Sequence, residues 1–189
     1  MPGIQNIGES VKNSIVGTIR GTGEIVNAVT DTVSSSLSTA LRGAGSVGQA
    51  LTGAVSDVAR GVIHGTKEVG GDLGAAAKGM VIGTLRGTKE AGGEALDAVG
   101  TSAESLVRTA AQTGGDVAQV AKNAVQGAIA GAKDIGVNTA DAASAAATGA
   151  LKAAGEIGDE AVDQVKRAAT GVISGVKVVV KEPFTKTKP

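Results

Sequence analysis

The sequence predicts an all-α protein of long amphipathic helices, packed as a right-handed coiled coil or other helical assembly, and three observations carry that expectation. A 22-residue unit recurs along most of the chain, made of two eleven-residue halves. No proline lies between Pro2 and Pro183. The hydrophobic content, 42%, is nearly all Ala, Val, Ile and Leu, with Phe184 as the single aromatic. A thick layered core normally draws on several aromatics, because each buries so much area. A thin helix seam does not need them.

The repeat sets the organisation. Gly17-Thr-Ile-Arg-Gly-Thr-Gly-Glu24 returns as Gly61-Val-Ile-His-Gly-Thr-Lys-Glu68 and Gly83-Thr-Leu-Arg-Gly-Thr-Lys-Glu90, and the same register runs on through Gly127, Gly149 and Gly171. Residues 1–16 form an N-terminal, partly helical segment, 17–182 the repeat region, and 183–189 a short basic tail. Eleven residues make three turns at about 3.67 residues per turn, a helical period whose drift winds right-handedly. A strand would need strict alternation, and none is sustained. Helices tend to stop near proline, so the helical region extends from about residue 4 to about residue 181. Unbroken, it would reach on the order of 260–270 Å. The pairs Gly70-Gly71, Gly92-Gly93 and Gly114-Gly115 are places for bends should the rod fold back, but their 22-residue recurrence reads first as part of the seam.

Within each unit the columns are sorted by chemistry. The third position is always a branched aliphatic: Ile19, Leu41, Ile63, Leu85, Val107, Ile129, Leu151 and Ile173. This column is the expected helix-packing interface. The fourth is mostly basic, with Arg20, Arg42, His64, Arg86, Arg108 and Lys152. Lys67, Lys89 and Lys133 line one flank of the apolar arc; Glu68, Glu90, Asp134, Glu156, Asp72, Glu94 and Asp116 line the other. In a parallel ring of helices, the basic flank of one chain would meet the acidic flank of the next.

Glycine needs a separate account. There are 30, and each costs about 0.8–1 kcal/mol relative to Ala inside a helix, a total of roughly 20–30 kcal/mol. Packing must offset that. Gly21, Gly43, Gly65, Gly87 and Gly131 at position five, and Gly48, Gly70, Gly92, Gly114, Gly136 and Gly158 at position ten, lie on either side of the apolar face. Small residues there would let backbones approach and add dispersion and Cα–H···O contacts, so these glycines join the expected interface.

The residues point away from chemistry. His64 is the one histidine and cysteine is absent, so neither a thiolate site nor a histidine pair can form, and no metal or cofactor is expected. Gly21-Thr-Gly23 lacks the remainder of a phosphate-loop pattern. Charge balances at 18 basic against 18 acidic residues, giving no pull towards nucleic acid. The segment Val62-Ile-His-Gly-Thr-Lys-Glu-Val-Gly-Gly71 resembles the Lys-Thr-Lys-Glu-Gly-Val repeats of synucleins, and the wider pattern resembles the eleven-residue repeats of perilipins. Those resemblances imply helices lying on lipid. The pattern is also similar to hendecad coiled coils, which implies parallel bundles. The expected function is therefore non-enzymatic: a structural protein that self-assembles through a Gly/Ala-rich seam into a homo-oligomer or filament. The alternative is a peripheral helix that coats a lipid surface. No signal peptide or membrane span is visible in the sequence. Protective disorder is a third reading, though it calls for a more hydrophilic chain than a mean hydropathy of +0.16.

Overall fold

The computed structural model describes residues 7–22 and 24–180. Among these, eight helices follow one another: α1 (Ile7–Thr22), α2 (Ile25–Arg42), α3 (Val47–Glu68), α4 (Leu73–Glu90), α5 (Ala95–Gln112), α6 (Val117–Ile135), α7 (Thr139–Ile157) and α8 (Asp159–Ala169). Each packs most closely on the helix two places along, α1 on α3, α2 on α4, α4 on α6 and α5 on α7, and less closely on its immediate neighbour. The odd-numbered helices thus form one layer and the even-numbered helices a second. The chain is a helical repeat in which one 22-residue unit supplies roughly one helix.

The continuous rod is not formed. The chain folds back at the very glycines that recur every 22 residues. Gly70 has φ +68°, and Gly92, Gly114 and Gly136 take φ between +71° and +77°. A left-handed residue after the last helical turn closes a Schellman motif: the N–H of Gly71 donates to the carbonyl of Thr66 at 2.8 Å, and that of Gly70 to Lys67 at 3.0 Å. Gly93 to Thr88 (2.9 Å) and Gly115 to Ala110 (2.7 Å) repeat the bond. The second glycine is needed for room, since a Cβ on Gly71 would lie 3.0 Å from Thr66 Cγ2 and 3.1 Å from Ile25 Cδ1. The next residue then starts the following helix. Asp72 accepts from the N–H of Ala75 at 3.0 Å, Asp116 from Gln119 at 3.0 Å, and Asn138 from Ala140 and Asp141 at 2.9 and 3.0 Å. So Gly70, Gly92, Gly114, Gly136 and Gly158 are turn residues rather than interface residues, with nothing within 4 Å of a Cβ built on any of them.

The core is one contiguous cluster. Ile19, Leu41, Ile63, Leu85, Val107 and Ile129 are buried in it, whereas Leu151 is half-buried. Towards the C-terminus the filling changes from branched aliphatics to alanine, with Ala142, Ala143, Ala146, Ala147, Ala150, Ala153 and Ala154 of α7 all buried.

The N-terminal segment is helical from Ile7, and α1 runs on into the first unit and places Val11 and Ile15 in the core ahead of it. One further expectation is corrected: the helix does not continue to residue 181. After Ala169 the chain forms a hairpin, β1 (Gly171–Ile173) and β2 (Val176–Val178), with Ile173 opposite Val176. Ser174 and Gly175 make its two-residue turn with φ +48° and +79°, the geometry that suits the twist of two antiparallel strands. The flanking Val172-Ile173 and Val176-Lys177-Val178 are rich in β-branched residues. Ile173 is buried with Val178, but from a strand and not from a helix seam. The hairpin lies on α7, and it takes up the part of the repeat unit that would have continued α8. The helix start at residue 4 and the tail 183–189 lie outside the described residues.

Candidate functional site

Two ladders tie helix to helix, one of glycine and one of charge. The glycine ladder runs through the first and fifth positions. A Cβ on Gly61 would run into the Gly8 carbonyl oxygen, one on Gly65 would lie 3.0 Å from that of Lys12, one on Gly83 2.6 Å from that of Thr30, and one on Gly87 2.7 Å from that of Ser34. A Cβ on Gly127 would lie 2.6 Å from the Lys78 carbonyl oxygen and one on Gly131 2.6 Å from Leu85 Cδ1, while one on Gly149 would run into the Gly100 carbonyl oxygen. Each contact joins a helix to the one two places earlier in the same chain. Van der Waals contact between backbones replaces the side-chain layer that would normally separate two helices. Gly43 and Gly48 do not belong to this ladder. Gly43 is the exposed C-cap of α2, and Gly48 is exposed with open space around it. The side-chain surroundings of Gly21 lie outside the described residues.

The charged ladder runs along the rim. Lys12 pairs with Glu68 at 2.9 Å, Arg86 with Asp134 at 2.7 Å, and Arg108 with Glu156 at 2.7 Å. Arg108 also holds Glu104 at 2.7 Å, and Glu104 holds Lys152 at 3.0 Å. The two Glu156 oxygens accept from both Nε and Nη2 of Arg108, a planar match that raises the guanidinium pKa further. The hydrogen bond from Lys12, with its charge, lowers the Glu68 pKa and raises its own. Lys67 donates to the Thr113 carbonyl and Lys89 to the Ile135 carbonyl, each ammonium capping the C-terminus of a helix two places on. The basic and acidic flanks therefore meet within the chain.

One surface has room for a ligand. A groove of about 840 Å³ crosses the odd layer over α3, α5 and α7. Its floor carries Val47, Leu51 and Leu96, and its rim Glu94, Asp97 and Asp141. Leu96 is 38% exposed there. A smaller depression of about 340 Å³ lies between α3 and α5, where the hydroxyls of Ser56 and Ser105 are 3.1 Å apart between Arg60 and Arg108. His64 is exposed on α3. Among the described residues, no group of three His, Cys, Asp or Glu could hold a metal ion, and no helix is long and apolar enough to cross a membrane.

Sequence reasoning placed Asp72 and Asp116 on an acidic flank and missed their work as helix caps. The signal was present: an acidic residue follows a glycine pair and precedes an apolar-periodic run. The groove left no such signal, because its walls come from three helices whose relative register only packing decides.

Comparison with known proteins adds the fold alone. No protein family model matches the chain, and no curated protein matches it. Among solved structures it is similar to a crystal structure of a de novo designed helical repeat protein, with 23% identity and a TM-score of 0.53 over 87% of this chain and 91% of that one.

Proposed function

We propose that the chain is a non-enzymatic structural protein that self-associates, two copies meeting through α1. The observation that carries this reading is Gly17. Gly61, Gly83, Gly127 and Gly149 hold the same place in the repeat, and each has a helix backbone where its Cβ would be; around Gly17 nothing lies within 4 Å. Among the described residues no helix precedes α1 in the odd layer, and nothing described packs on the surface that the later helices use for stacking. The far end is different in kind. The hairpin covers α7, and α8 carries exposed Asp159, Glu160, Asp163, Lys166 and Arg167. Head-to-tail growth needs two complementary ends, so one open and one covered end favour a closed dimer over a filament. Glu9, Asn13, Gly17 and Arg20 are all exposed. In an antiparallel crossing of two α1 helices centred between Asn13 and Gly17, Glu9 of each copy faces Arg20 of the other. The eleven-residue period gives that crossing a right-handed sense.

The lipid-coating alternative asks more of the molecule. The apolar arcs of the helices are turned into the core, so a lipid surface would have to open the stack to reach them. Sedimentation velocity over a dilution series, on the wild type and on Gly17→Leu, tests the proposal, with thermal melts as a control. The expected result is a wild-type dimer that dissociates on dilution and a Gly17→Leu monomer at least as stable to heat. A wild type that is monomeric at every concentration overturns it. Flotation with liposomes, accompanied by loss of the cooperative melt, would move lipid coating to first place.

A further inference from the structure

We infer that the groove across the odd layer seats an extended, basic peptide with one bulky apolar anchor, and that its occupant is residues 183–189 of the same chain. The floor is the first reason. Among the large apolar side chains of the described helices only Leu96 and Ile157 are exposed, and Leu96, at 38%, stands beside Val47 and Leu51 in a groove of about 840 Å³. The rim is the second. Glu68, Glu104, Asp134 and Glu156 are each matched by a lysine or arginine. Glu94, Asp97 and Asp141 are exposed, and none of the ion pairs or side-chain hydrogen bonds among the described residues uses their carboxylates; the same is true of Asp31, Glu90 and Asp163, but those lie away from the groove, whereas these three line it. Glu94 precedes α5 without capping it through its side chain. Three carboxylates that no described residue matches, around an apolar floor, ask for a cationic ligand with an apolar anchor.

The tail has that chemistry. Pro183-Phe-Thr-Lys-Thr-Lys-Pro189 holds the only aromatic residue of the chain and two lysines. Phe184, Lys186 and Lys188 are spaced by two, so an extended backbone presents all three on one side. Proline at both ends favours that extended form over a helix. The reach also fits. β2, which leads into the tail, lies on α7, and α7 forms one wall of the groove. Phe184 is four residues beyond Val180, up to about 14 Å when extended, against about 8–10 Å between neighbouring helix axes. Tethering so close to the groove favours the chain's own tail over one supplied by another molecule.

The test uses the absence of tryptophan from the sequence. In the full-length Phe184→Trp protein, the indole is the only fluorophore of its kind. Its emission maximum and iodide quenching are compared with those of a synthetic peptide of residues 181–189 carrying the same tryptophan. We expect a blue-shifted emission and roughly three-fold weaker quenching in the protein, independent of protein concentration. Both should return towards the free-peptide values in an Asp97→Asn, Asp141→Asn background and in a Leu96→Ser background, with melting curves showing that each variant is folded. Emission and quenching equal to the free peptide overturn the inference, as does a blue shift that survives both groove variants. A shift that grows with protein concentration seats a second copy's tail instead, and overturns the assignment to the chain's own. The outcome is separate from that of the α1 dimer, because Gly17→Leu leaves the groove and the tail untouched.

Discussion

A Cβ on Gly83 would stand 2.6 Å from the carbonyl oxygen of Thr30 and 2.8 Å from Val33 Cβ. No rotamer relieves such a clash, because one partner is backbone. Two effects oppose each other in Gly83→Ala. Helix propensity improves by about 1 kcal/mol, while forcing α2 and α4 apart costs typically about 1–3 kcal/mol. The clash should win, and chemical denaturation should show net destabilisation. Gly17→Ala, with no neighbour to strike, should stabilise the monomer by up to about 1 kcal/mol.

The turn glycines call for a different outcome from the same substitution. Gly114 has open space for a Cβ but φ +71°. Gly114→Ala therefore meets no steric neighbour and is penalised only by the left-handed backbone, at about 1–2 kcal/mol. Gly114→Asn should recover part of that loss, since Asn tolerates this conformation better. Equilibrium unfolding of the two variants side by side checks the order.

Thr88 is fully buried, and its hydroxyl has no hydrogen-bond partner among the described residues. Thr66 in the same column is buried with an unmatched hydroxyl as well, whereas the later members Ala110, Ala132 and Ala154 carry no hydroxyl. An unmatched buried polar group costs about 1–3 kcal/mol, and an apolar replacement of the same shape removes that cost. Thr88→Val should raise the melting temperature. A fall of more than a degree would mean that the hydroxyl has a partner.

The pair Lys12–Glu68 ties α1 to α3, and its pH dependence follows from the direction of the Glu68 shift. The Glu68 pKa is lowered in the folded chain by the hydrogen bond from Lys12. The unfolded chain therefore binds a proton first as pH falls, and the contribution of the pair, present above the ordinary carboxylate pKa, is lost as pH drops through the folded value. Both groups are exposed, so the effect is small and screened by salt. Glu68→Gln should flatten the acid limb of the stability profile below about pH 4.5, and denaturant titrations at low and high salt would reveal it.

Much of the helical architecture was legible in the residues alone. The third-position column from Ile19 to Ile129 is apolar at helical spacing, and such a face is driven out of water whichever surface covers it. The helix period and the sorting of charge into flanks follow from one-dimensional pattern in the same way. Which surface covers the apolar face is not a property of the pattern. Gly70 can continue a helix at a cost of about 1 kcal/mol or turn left-handed at almost none, and nothing within a few residues decides between them. The decision comes from helices that meet only after folding: Gly83 against Thr30, Gly127 against Lys78, Arg108 against Glu156. Short turns hold these partners close in one chain, so the seam closes on itself before a second chain can supply it. The hairpin belongs to the same lesson. Ile173 continues its column in register, and one glycine each at 171 and 175 fits either conformation. Contact with α7 favours the strands, which bury Ile173 and Val178.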